Sequence, residues 1–199
     1  MMSHDVPSAI LPLAQQCVAH VEDSVGIALD YTIQTLPILD HYCRSERASS
    51  PWPQGSQKLA QEAGAYFGEV LRRLFPCRWH IAEDALHEWR LEFEDCLLCF
   101  NPLGMVLELL LEGEALGWNA GFTTDPAATA PLGEYLAGLP GVCEDDFFAL
   151  TVRQETLDIV HDFLLRWQNR PGHRPPLCRP GDYAELVTAQ ESPVVVQPE

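Results

Sequence analysis

The densest run of side chains able to do chemistry is His80-x-x-Glu83-Asp84-x-x-His87-Glu88. Imidazoles and carboxylates are zinc ligands and proton-transfer partners. The spacing is neither H-E-x-x-H nor its inverse, because Asp84 stands where the inverse needs a second His. It also falls on a predicted strand–turn–strand, so one helix face cannot collect the ligands. His80, Glu83 and His87 are the candidate ligands, and the poor fit favours solvated turn residues over a metal. An enzyme here would need several of His80, Glu83, Asp84, His87 and Glu69 to converge in a pocket.

Other chemistry is thinner still. Cys96-Leu97-Leu98-Cys99 has C-x-x-C spacing without the second pair that a zinc ribbon needs. In a strand, residues three apart face opposite sides, so the two sulfurs should diverge. There is no G-x-S-x-G elbow and no G-x-x-x-x-G-K or G-x-G-x-x-G phosphate loop. The neighbours His161 and Asp162 lack a nucleophile. The sequence therefore assigns no catalytic residue and calls for no cofactor.

Charge offers a second kind of site. Glu69, Arg72 and Arg73 have i,i+3 and i,i+4 spacing, which suits intrahelical pairing or a charged face that meets a partner. From Glu83 to Glu114 there are nine acids and a single base, Arg90. Glu88, Glu92 and Glu94 alternate with Trp89, Leu91 and Phe93, which predicts a strand with one apolar and one acidic face. Such a face repels itself; solubility accounts for it without a partner, and the functional alternative is a docking surface for a cationic protein, whose encounter a negative field speeds.

The elements that would carry these residues are legible in outline. Ile10, Ala14, Cys17, Val18, Val21 and Val25 predict a first helix, with Pro12 in its first turn. Val25 to Leu29 reads as extended. A second helix runs to about Arg47, capped by Thr35 with Pro37 in its first turn, and Ser45 to Gly55 reads as a loop. Leu59, Ala63, Tyr66, Phe67, Val70, Leu71 and Leu74 make the longest apolar stripe, ended by Pro76. Gly64 and Gly68 lie four apart on that helix, and close approach of another backbone would explain both. The period then shifts to two: Cys77 to Ile81, Glu88 to Phe93 and Cys96 to Phe100 predict a three-stranded meander with a Glu94-Asp95 turn.

Asn101-Pro102 starts a central apolar helix that stops near Gly113. Residues 114–130 read as a loop, and Leu132 to Leu139 as a short helix. Thr151-x-x-Gln154 fits a capping box, and Leu157, Val160, Phe163, Leu164 and Trp167 form a last stripe. The prediction is α+β, with five or six helices around about three antiparallel strands. Residues 1–170 form one domain, and 171–199, with six Pro, form a flexible tail outside the core.

Composition bounds the function. The 199 residues carry 29 Asp and Glu against 12 Lys and Arg, a formal net charge of −17. That balance argues against nucleic-acid binding, which needs clustered cations. No apolar run reaches the roughly 18 residues of a membrane span. Met1 to Pro7 shows no cationic segment before an apolar one, so no secretory signal is expected. Seven Cys, an odd count placed mostly in apolar runs, read as reduced thiols in a cytoplasmic protein.

Gly26-Ile27-Ala28-Leu29-Asp30-Tyr31-Thr32 with Leu39-Asp40, then Gly64-Ala65-Tyr66-Phe67-Gly68-Glu69-Val70-Leu71-Arg72-Arg73, then Trp79, a meander and Asn101-Pro102-Leu103, form a set. Over residues 24–165 it resembles a group of small bacterial α+β domains of unknown function, most specifically in the Gly64–Arg73 helix. The resemblance implies a bacterial cytosolic α+β domain and carries no catalytic residues. The function expected is a non-catalytic acidic binding module, immunity- or adaptor-like. It would meet a basic protein through Glu88, Glu92 and Glu94, with Glu69, Arg72 and Arg73 as a second face. The alternatives are an enzyme at residues 80–88, or a structural subunit with Tyr66 and Phe67 as an exposed seam.

Overall fold

The computed structural model describes residues 6–49, 56–141, 143–170 and 178–191. Its architecture is α+β, with seven α-helices and a four-stranded antiparallel sheet among the described residues. That is more helices than the five or six predicted, and one strand more than three.

Helix α1 (Ile10–Val25) ends on Gly26, whose φ of 76° closes the last turn. Val25, which fits both the helical stripe and the extended stretch, belongs to the helix, and residues 26–30 form no strand. Helix α2 (Leu36–Ser49) holds Pro37 in its first turn, as expected. Residues 50–55 of the expected loop lie outside the described residues. Thr35 is buried in a 3-10 turn, and its hydroxyl meets Tyr66 Oη at 2.7 Å.

Helix α3 (Ser56–Leu74) is the hub of the core. A Cβ on Gly64 would sit 2.6 Å from the Leu103 Cα of helix α4 (Pro102–Leu111), so this glycine does permit close backbone approach. Gly68 answers a side chain instead: the Trp79 indole lies where its Cβ would be, at 2.1 Å. Tyr66 and Phe67 are wholly buried, so they form no exposed seam.

The strands β1 (Cys77–His80), β2 (Arg90–Phe93), β3 (Leu98–Phe100) and β4 (Thr123–Thr124) lie side by side in chain order. Trp79, Leu91, Phe93, Leu98 and Phe100 face the main core with α3 and α4. Because Leu91 pairs with Phe100 and Glu92 with Cys99, the β2–β3 turn takes four residues, 94–97, not two. Asn101 caps α4 as expected, accepting from the Leu103 and Gly104 amides at 2.9 and 3.3 Å. Helix α5 (Pro126–Ala137) starts earlier than predicted, with Asp125 as cap and Pro126 in the first turn.

Helix α6 (Leu150–Gln168) is not capped by a box of its own. Buried Asp40 of α2 accepts from the Leu150 amide at 2.7 Å and from the Thr151 amide and hydroxyl at 3.1 and 2.6 Å. A carboxylate from another element thus does the N-cap's work.

Residues 178–191, expected in the tail, are structured: helix α7 (Pro180–Glu191) covers the second sheet face. Tyr183 is fully buried, and its hydroxyl donates to the carbonyls of Phe93 and Cys96 at 2.5 and 2.9 Å. Residues 171–177 and 192–199 lie outside the described residues.

Candidate functional site

The second sheet face is where the predicted acidic surface should be. Strand alternation places Arg78, His80, Arg90, Glu92 and Cys99 there, with Arg78 opposite Glu92 and His80 opposite Arg90. Glu92 is only 1% exposed. It accepts from Arg78 Nη2 at 3.0 Å and from Arg90 Nε and Nη2 at 3.0 and 2.9 Å, and His80 Nδ1 lies at 3.8 Å. The expectation that Glu92 belongs to a solvated acidic face is therefore corrected. Helix α7 covers this face, and a carboxylate held there needs cations around it.

Glu94 is partly exposed and lies 3.7 Å from Arg78 Nη1. Glu88 precedes β2 in a 3-10 turn with about half of its side chain exposed, and pairs only loosely with His87 at 3.7 Å. Of the three meander carboxylates, Glu88 keeps the accessibility expected of it.

Glu69 is corrected in the same way. It is 1% exposed and accepts from Trp79 Nε1 at 2.9 Å and from Arg72 Nε and Nη2 at 2.9 and 3.0 Å. Gly68 makes the room that brings the indole into reach. Arg73 lies over the Tyr31 ring, 4.1 Å from its centroid, and the Tyr31 amide donates to Tyr66 Oη at 2.9 Å. The most specific motif of the sequence thus ties α3 to β1 and to the segment after α1. It does not offer one charged face.

His80 and His87 do come together, in a cleft of about 460 Å³ between the β1–β2 connection, the sheet and α7. Glu88 and Arg90 share it, over a floor that includes Trp89, Cys99, Phe100 and Val187. Burial, with the Arg90 charge beside it, holds the His80 imidazole below its usual pKa. Burial pushes the Cys99 thiol up to about 12, so it is no activated nucleophile at neutral pH.

Glu83 and Asp84 sit exposed on the same connection and do not line the cleft. Among the described residues, His80, Glu83 and His87 do not gather as metal ligands. His161 and Asp162 also part: His161 meets Asp95, while Asp162 pairs with Arg166 along α6.

Sequence reasoning missed Arg78, Asn119, Thr123, Ala184 and Val187. Arg78 lay before the acidic window, though pairing 77–80 with 90–93 sets it against Glu92. Asn119 and Thr123 were hidden in a segment read as loop. Ala184 and Val187 fell in the proline-rich tail, where Tyr183, Leu186 and Val187 at helical spacing were the available signal.

Comparison with protein-family models, curated proteins and solved structures gave no match. The fold and site define an α+β protein with a cleft walled by helix α7. Among the described residues, no helix is long and apolar enough to cross a membrane.

Proposed function

We propose that the protein is a non-catalytic binding module, of the immunity or adaptor kind, for a cationic protein partner. The contact is the mouth of the cleft: exposed Glu83, Asp84 and Glu88 stand on the connection that borders it. A partner's Lys or Arg would lay its aliphatic stem on the apolar floor and bring its head to Glu88. The observation that carries this reading is that most of the described Lys and Arg side chains are engaged with the protein's own carboxylates while Glu83, Asp84 and Glu88 stay exposed. Arg44, Arg47, Lys58, Arg72, Arg78, Arg90, Arg153 and Arg166 each pair with a carboxylate.

Capture from host lysate tests it, with three baits run at low and moderate salt. Wild type should retain one stoichiometric basic protein that salt releases. The triple variant Glu83→Lys, Asp84→Lys, Glu88→Lys should lose it. A charge-reversed control on α1, Glu22→Lys with Asp23→Lys, should keep it. Equal capture by all three baits overturns the assignment.

One observation favours a second reading, an enzyme in the same cleft. His80, held below its usual pKa, is neutral at pH 7 and available as a general base. Turnover of a panel of activated esters and phosphate esters that disappears in His80→Asn supports this reading. No turnover across the panel removes it.

A further inference from the structure

We infer that Asp95, Cys96 and His161 form a site for a divalent transition metal of the zinc class. The site is separate from the cleft and independent of the binding role proposed above. The three residues are the one group of at least three His, Cys, Asp or Glu among those described whose donor atoms lie within 4.8 Å of one another. They come from two elements, the β2–β3 turn and α6, so their meeting is a tertiary feature.

Each ligand is already positioned. The His161 ring lies against Phe75 and Phe93, with centroids 5.1 and 5.4 Å away, and its Nε2 sits 3.1 and 3.0 Å from the two Asp95 carboxylate oxygens. The turn is pinned from both sides: Gln168 Nε2 donates to the Asp95 carbonyl at 2.6 Å, and Tyr183 Oη to the Cys96 carbonyl at 2.9 Å. Rigid presentation of this kind is what a metal site asks of its surroundings.

The donor set selects the ion. Thiolate, imidazole and carboxylate together suit a borderline ion such as Zn²⁺ or Co²⁺ better than Mg²⁺ or Ca²⁺. With bonds of about 2.0 Å to nitrogen and oxygen and about 2.3 Å to sulfur, tetrahedral neighbours stand roughly 3.3–3.8 Å apart. The existing spacing closes onto that geometry by a shift of about 1 Å. Cys96 is buried, whereas about a third of the Asp95 side chain is exposed, which leaves a solvent side for a fourth ligand, water. Binding exchanges the thiol proton for a metal–sulfur bond, and the proton leaves to solvent. The second thiol of the C-x-x-C pair takes no part, because Cys99 packs with α7 on the other sheet face.

Cobalt titration of metal-stripped full-length protein tests the site. Wild type should bind one equivalent of Co²⁺, show thiolate-to-cobalt charge-transfer absorption, and lose it when Zn²⁺ is added. Cys96→Ser should abolish the absorption, and Cys99→Ser should leave it intact. His161→Gln and Asp95→Asn should weaken binding by at least about tenfold, the lower end seen even for residues that only support ligands. Zn²⁺ should raise the Tm of wild type and not of Cys96→Ser. Circular dichroism confirms that each variant is folded, and Asp95→Asn, at a partly exposed position, keeps the test open if a core variant is not. No stoichiometric binding overturns the assignment, as does binding whose spectrum lacks the thiolate band or survives in Cys96→Ser.

Discussion

Glu92 decides how the sheet's second face behaves. Two guanidiniums converge on it from β1 and β2, and α7 closes over them. Removing one member of a buried charge cluster leaves the others unpaired, so Glu92→Gln should cost about 3–5 kcal/mol in urea unfolding. Glu94→Gln, at a more exposed carboxylate, should change stability by no more than about 0.5 kcal/mol. Equal effects would mean that Glu92 is not the anchor. The sequence displayed the acids and hid their partner, because Arg78 is 14 residues away and meets Glu92 only through strand register.

His80 adds a pH dependence. Burial and Arg90 lower its folded pKa below 6.5, against the opposing pull of Glu92 and Glu88. Between the folded value and 6.5 the unfolded chain binds more protons. His80's contribution is therefore complete above pH 6.5 and is lost as pH falls through the folded pKa. The Tm of His80→Asn should fall less steeply than that of wild type on the acid side of 6.5, and parallel profiles would remove His80 as the cause.

Helices in this chain are set by what touches them as much as by their own pattern. Two glycines separate the cases. Gly68→Ala forces a methyl into the Trp79 indole and should destabilise by about 1–3 kcal/mol. At Gly133, inside α5, an added methyl would meet nothing within 4 Å, so Gly133→Ala should stabilise by up to about 1 kcal/mol. Thermal melts of the pair should move in opposite directions. Both glycines look alike in the sequence, because the neighbour that distinguishes them is distant in the chain.

The same limit explains the missed and mistaken ends. Asn101-Pro102 and Asp125-Pro126 use one N-cap chemistry, but the second opens a helix whose first turns are too weakly patterned to be noticed. The cap of α6 was unreadable, since Asp40 lies 110 residues before Leu150. Helix α7 was obscured by the prolines around it, although Tyr183 fixes it to the β2–β3 turn. Tyr183→Phe keeps the ring and leaves two carbonyls without their donor, so it should cost about 1–3 kcal/mol. Hydrogen exchange should show the loss first at the Leu98 amide, which donates to the same hydroxyl at 3.4 Å. Unchanged protection there would separate α7 from the stability of the turn.

Over the whole molecule, net charge was the most legible property and its distribution the least. The formal −17 acts on a fold whose buried carboxylates Asp40, Glu62, Glu69, Glu92 and Glu108 are each hydrogen-bonded or ion-paired internally. Buried pairs are screened little by salt, whereas exposed carboxylates that repel one another are screened strongly. Added salt should therefore raise Tm, because it relieves surface repulsion and leaves the internal pairs nearly untouched. Capture of a cationic partner should respond the other way, since the same screening weakens attraction across the cleft mouth. Melts and capture between about 10 and 150 mM NaCl, where the screening length falls from about 30 to about 8 Å, measure both signs on one preparation. Stability that rises while capture falls assigns the excess acid to the surface that meets a partner. Stability that falls with salt would place the dominant electrostatics in the protein's own ion pairs and take the charge argument away from function.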